Sequence, residues 1–250
     1  NGRRDVSAWP WWFWAACGFV VLFAHSAGLA MGGAVAGVQA GKDLTLAQQG
    51  IASLLGGLAG AAAGLILLRM IQRRTADGLH RAGLGFRADG KGIGQGLIGI
   101  ALAFPIVLVV GLFGQWLSWQ VRHVEPDAIS HETLRTLQEH TQNGWAWVLA
   151  GCAVVLAPIT EEILFRLFVQ STLLGLVGRT WPAILVTAAF FALIHLGGGV
   201  KLENAHTLLG LFTLGAGMGI AYERTRNIVV PIVMHATFNA VNVALTVWGG

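Results

Sequence analysis

Apolar residues run along the chain in long stretches separated by short polar clusters, with neither the strict alternation of strands nor the narrow stripe of a soluble amphipathic helix. A bilayer core of about 30 Å takes about 20 apolar helical residues, because backbone groups cannot be left unpaired in lipid. Seven stretches meet that need approximately: Trp11 to Ala40, Leu46 to Ile71, Gly94 to Val121, Trp145 to Val177, Trp181 to Leu196, His206 to Tyr222 and Ile228 to Trp248. The fifth is short, and the first and fourth are long enough to be tilted, broken or preceded by an interfacial turn. The first is also too long for the roughly 7 to 15 residue core of a signal peptide and reads as a retained helix; an eighth span preceding Asn1 would leave the orientation of these seven unchanged. The longest polar stretch, Arg122 to Asn143, opens on Glu125-Pro126-Asp127 and carries Ile129, Leu134 and Leu137. It predicts a helix lying on the outer face, with Asp127 or Ser130 as its cap. The fold class expected is all-α, a polytopic transmembrane bundle forming one domain over residues 1–250. No repeat and no inverted halves are visible, which disfavours a transporter built by duplication.

Composition agrees: 55% of the residues are hydrophobic and 11% charged, against roughly 25% charged in a soluble domain, and mean hydropathy is +0.66. A soluble globule and a disordered polyelectrolyte are both excluded. The ten tryptophans, Trp9, Trp11, Trp12, Trp14, Trp116, Trp119, Trp145, Trp147, Trp181 and Trp248, fall near span ends, where indole favours the headgroup region. Gly28, Gly32, Gly56, Gly60 and Gly64 lie at four-residue spacing and predict close approach of the first two helices. Cys17 and Cys152 sit in apolar runs and read as small hydrophobes rather than a disulfide.

The net charge of +4 would suggest a nucleic-acid partner in a soluble protein, but here the cations sort by side. Arg3, Arg4, Arg69, Arg73, Arg74, Arg81, Arg87, Lys91, Arg179, Arg224 and Arg226 fall on one face, and Lys42, Arg122, Arg135 and Lys201 on the other. The positive-inside rule makes the first face, and the N-terminus, cytoplasmic. The basic loop Arg69 to Lys91 is expected against anionic lipid headgroups, so the partners expected are membrane lipids and a membrane-associated protein or peptide, with no nucleic acid.

Three charges remain inside the apolar interiors: Glu161, Glu162 and Arg166, in Ala157-Pro-Ile-Thr-Glu-Glu-Ile-Leu-Phe-Arg166. Insertion scales put each central ionised residue at about 2.5 to 3.5 kcal/mol, so such residues are functional candidates by default. Glu162 and Arg166 stand at i and i+4 and can pair, whereas Glu161 points about 100° away and is the candidate general base. The plainer reading is a buried polar knot joining helices. Pro158 removes a backbone donor just ahead of the acids and can bend or restart the helix, with Thr160 as cap. Phe191 and His195, and His235 and Asn239, repeat the i, i+4 spacing in two later spans. Counted at 1.5 Å per residue, Glu161 lies roughly 24 Å from the outer start of its span, and His195 and His235 roughly 21 and 10 Å from the inner starts of theirs. One buried site displaced toward the cytoplasm accommodates all three. Of the other histidines, His25 is expected to pack against glycine or bond a neighbouring helix, while His80, His123, His131, His140 and His206 are expected in solvent.

In this order on successive helices, Glu161-Glu162-x-x-x-Arg166, Phe191-x-x-x-His195 and His235-x-x-x-Asn239 resemble the CPBP intramembrane protease family, also called the ABI or CAAX prenyl protease 2 (Rce1-like) family. The resemblance covers about Val148 to Val243, a protease core; the N-terminal half matches only as generic membrane helices, and the third motif carries Asn where Asp is also seen. It implies an intramembrane endopeptidase of a bacterial-type cytoplasmic membrane, with Glu161 and His195 activating a water and His235 and Asn239 stabilising the oxyanion. A metal-dependent version places Zn²⁺ on Glu161, His195 and His235; the absence of His-Glu-x-x-His favours metal-independent chemistry. Two rivals stand beside the enzyme: a non-catalytic membrane scaffold or immunity-type factor binding a partner helix, and a proton-coupled transporter using Glu161 as carrier. The His-x-x-x-Asn pair discriminates, since an oxyanion site needs it and a proton relay does not.

Overall fold

The computed structural model describes residues 4–39, 41–75, 83–122, 132–195 and 205–248. These form eight helices: α1 (Trp11–Val35), α2 (Leu46–Arg74), α3 (Gly90–Arg122), α4 (Glu132–Glu139), α5 (Gly144–Val177), α6 (Thr180–Ile194), α7 (Ala205–Thr225) and α8 (Val229–Trp248). Arg3, Ala40, His80, Arg81, His123, Asp127, Ile129, Ser130, His131, Leu196 and Lys201 lie outside the described residues.

Local chemistry sets the boundaries. At the start of α2, the Thr45 hydroxyl accepts from Gln48 N–H while the Gln48 side chain accepts from Thr45 N–H, a reciprocal capping box. Asn143 caps α5 by accepting from Trp145 N–H at 3.0 Å. The first helix stops before the expected Ala40, because Gly37 takes φ +69° and Val38 N–H and Gly37 N–H turn back onto Gly33 and Ala34 carbonyls in a Schellman termination.

Five helices, α1, α2, α3, α5 and α8, are long and apolar enough to cross a membrane. Of the seven stretches expected, α6 has only 15 residues, about 22 Å, and α7 also falls outside the five, its C-terminal turn carrying Glu223 and Arg224. Ile98, Leu102, Val109 and Leu112 on α3 are more than 60% exposed, a face that only hydrocarbon suits. The protein is an all-helical integral membrane bundle.

Helix α5 is the centre, flanked by α1 and α2 on one side and by α6 and α8 on the other, while α3 closes against α7 and α8. Its side chains split between two apolar cores: Ile163, Leu167 and Phe168 join Trp14, Val21 and Leu68, whereas Phe165 joins Phe191, Met218 and Met234. Leu137 of α4 packs on Ala146 and Ala150 of α5, which places part of the expected outer-face helix.

Glycines permit the close approaches, though not all where expected. A Cβ on Gly28 or Gly32 would strike the backbone of α2 at under 3 Å, but Gly60 also abuts Thr160 and Gly64 abuts Ile163, so α2 serves α5 as well as α1. His25 packs its Cβ toward Gly60, and both cysteines are free and buried. Trp14 departs from the interfacial reading: it is fully buried and its indole N–H bonds Val6 carbonyl. His206 is buried, not solvated, where α7 crosses Gly114.

Arg4, counted among the cations of one face, is fully buried. Its Nε donates to Glu223 Oε1 at 2.8 Å and its Nη1 to Ser171 Oγ at 3.0 Å, with the guanidinium 4.4 Å over the Tyr222 ring. Glu223 also accepts from Gln170, so one cluster ties the segment before α1 to α5 and α7. Arg4→Ala strands that buried carboxylate and is expected to lower stability by about 3 kcal/mol. Thermal unfolding in detergent measures it, and Arg4→Lys should recover only part, lacking the guanidinium fork.

Candidate active site

The three motifs meet at α5. It is one continuous helix containing two wide turns, Cys152–Leu156 and Ile163–Val169, in which N–H groups reach five residues back: Ala157 to Cys152 and Gln170 to Phe165. In the first of these registers the next donor would come from residue 158 toward Ala153, and Pro158 has none. Asn239 Nδ2 of α8 fills the gap, donating to Ala153 carbonyl at 2.8 Å. Proline therefore does not restart the helix, and Thr160 is no cap: its hydroxyl donates to Gly57 carbonyl on α2 at 3.3 Å.

Glu162 and Arg166 pair as their spacing predicts, Arg166 Nε donating to Glu162 Oε2 at 2.7 Å with both side chains fully buried. The second carboxylate oxygen does more than the sequence reading assigned it. Glu162 Oε1 lies 2.9 Å from His235 Nδ1, so one acid on α5 neutralises a cation on its own helix and orients an imidazole on α8. Phe191 fills the angle between the helices: its ring is 4.6 Å from His195, 5.6 Å from His235 and 5.3 Å from the Arg166 guanidinium carbon. It is fully buried and fixes both imidazoles by contact.

Glu161 takes the other direction. Its Oε2 is 3.5 Å from His195 Nε2 and 4.0 Å from His235 Nε2, and its side chain keeps 25% of its exposure where Glu162 keeps none. The tautomers follow from the partners. His195 Nδ1 faces Phe191 carbonyl at 2.7 Å, and a carbonyl only accepts, so Nδ1 carries the proton and Nε2 is a lone pair in the neutral ring. His235 Nδ1 is likewise committed, to the Glu162 carboxylate. The two Nε2 atoms and a Glu161 carboxylate oxygen thus converge between α5, α6 and α8.

All six residues, Glu161, Glu162, Arg166, His195, His235 and Asn239, are therefore brought to one junction of α5, α6 and α8, with depths estimated from residue counts resolved into direct contacts. Asn239 directs one amide N–H to the α5 backbone, at Ala153 carbonyl. Among the described residues, no group of three or more His, Cys, Asp or Glu is arranged to hold a metal ion.

The profile of the Rce1-like family, type II CAAX prenyl endopeptidase Rce1-like, matches residues 143–241. Over this stretch, less than half of its length, the chain is similar to the Rce1-like family. The matched stretch begins at Asn143, the cap of α5, and contains all six residues of the junction, whereas α1, α2 and α3 lie outside it. The similarity points to a protease, a hydrolase. No curated protein and no solved structure matches the chain.

Proposed function

We propose that the chain is an intramembrane endopeptidase that hydrolyses peptide bonds of membrane-associated proteins or peptides, its cation-rich face cytoplasmic. The observation that carries this reading is the Glu161 carboxylate set 3.5 and 4.0 Å from two imidazole Nε2 atoms whose Nδ1 positions are already committed. A water among these atoms gives a proton to Glu161 or His195 as its oxygen attacks the peptide carbonyl carbon. His235, oriented through Nδ1 by Glu162 Oε1, donates from Nε2 to the oxyanion that develops. Asn239 has one N–H on Ala153 and a second to offer the same oxygen. The proton held between Glu161 and His195 then passes to the departing amine nitrogen.

Cleavage of an intramembrane reporter peptide by the full chain in liposomes tests the proposal directly, with Glu161→Gln as the inactive comparison. Chelator separates the metal-free chemistry from the zinc version: full activity is expected after EDTA or phenanthroline treatment. Activity lost to chelator and restored by zinc alone would replace this mechanism with a metal-bound one.

A further inference from the structure

A concave site lies where the start of α3 meets the α7–α8 junction, on the cation-rich face, and the proposed chemistry makes no use of it. Arg87, Lys91, Arg224 and Arg226 line it with a single acid, Asp89, and its volume is about 160 Å³. Four cations against one carboxylate leave a formal balance of +3 in that space.

The floor of the site is held rigidly. Asn227 accepts from Arg87 N–H at 2.9 Å and donates to Arg87 carbonyl at 3.1 Å, while Gly85 exchanges backbone bonds with Arg226 and Ile228. Those bonds hold Arg226 at φ +54°, the left-handed region that side-chain-bearing residues use sparingly. Asp89, the acid of the lining, spends one oxygen on Gly92 N–H at 2.8 Å, capping α3. Arg87, Lys91 and Arg224 remain solvent-exposed at the rim.

An apolar track leads off the same rim. Ile93 and Leu97 stand at i and i+4 on α3, both more than 40% exposed, with Phe86 beside the start of the helix. We propose that the site binds the phosphate of an anionic phospholipid, the phosphodiester seated among the four cations and an acyl chain lying along Ile93 and Leu97. Guanidinium groups match phosphate oxygens in charge and fork geometry. A cavity of about 160 Å³ admits a phosphodiester and its glycerol but no folded chain. The apolar track favours a lipid over free phosphate, which has nothing to lay on it.

The test is binding of tail-labelled phosphatidylglycerol to the purified full chain in neutral detergent, with tail-labelled phosphatidylcholine as the uncharged comparison. The Arg87→Ala/Arg224→Ala variant should weaken phosphatidylglycerol binding about tenfold. Arg73→Ala/Arg74→Ala, which removes two exposed cations of the same face outside the cavity, should leave it unchanged. Asp89→Asn keeps an acceptor for Gly92 and removes the repelling charge, so it should tighten binding about threefold, a gain that no folding defect imitates. Equal losses in both double variants would reduce the effect to diffuse attraction and overturn the site. Displacement of the lipid by inorganic phosphate would reassign the site to a free anion, and displacement by a peptide with a free C-terminal carboxylate would reassign it to a protein chain; either overturns the lipid assignment.

Discussion

Replacing Glu161 with Gln is expected to lower the turnover of an intramembrane reporter peptide by about 10³-fold, within the range that a positioned general base supplies. The amide has the size and shape of the carboxylate, and a side chain with 25% of its exposure retained tolerates the exchange without stranding a buried partner. Its N–H bonds can be donated toward the imidazole Nε2 atoms, so the junction keeps its geometry while losing the group that takes the proton from water. The variant should therefore be extracted and should unfold like the parent, and it should bind substrate with little change in KM while kcat collapses. His195→Gln should fall in the same direction, since His195 shares the proton. Full activity in Glu161→Gln would end the catalytic assignment of Glu161 and leave it a member of a buried polar knot.

That knot and that active site were equally legible in the sequence, because both rest on the cost of leaving charge in lipid. Scarcity located Glu161, Glu162 and Arg166, and helical spacing alone gave the Glu162–Arg166 pair at 2.7 Å and the contact of Phe191 with His195. Spacing speaks only within one helix. It could not say that Glu162 also reaches His235 across to α8, since that bond depends on how α5 and α8 cross. The role of Asn239 was hidden for another reason: its partner, Ala153, is an ordinary apolar residue whose carbonyl becomes available only because a wide turn puts Pro158 in register with it. Pro158 was the readable signal, though it suggested a broken helix and in fact marks an unbroken one with a missing donor. Length marks α6 as the short stretch it was expected to be, 15 residues against five helices long and apolar enough to cross, and Arg4, counted only by side, is held inside by Glu223. A sidedness rule counts charges and carries no information on which of them find a buried partner.

Removing the Glu162 carboxylate should cost more stability than any other single change at the junction. Glu162→Ala leaves the Arg166 guanidinium at zero exposure without its only carboxylate partner among the described residues and frees His235 Nδ1 at the same time. Breaking one member of a buried ion pair costs about 3 to 5 kcal/mol, so the variant is expected to unfold well below the parent in detergent. Glu162→Gln is the finer probe. Its amide oxygen still accepts from His235, yet the charge-assisted bond that orients the imidazole becomes a neutral one, so kcat should fall about 10- to 100-fold, the range of groups that orient a reacting residue from behind. Arg166 remains unpaired in that variant and keeps it unstable. Adding Arg166→Met removes the second charge and replaces it with apolar volume, which should recover a large part of the lost stability while leaving kcat depressed, because His235 still lacks its anion. Stability and turnover then separate along one pair of residues. If the double variant is no more stable than Glu162→Gln alone, the two charges are not coupled and the Glu162–Arg166 pair is not what stabilises this part of α5.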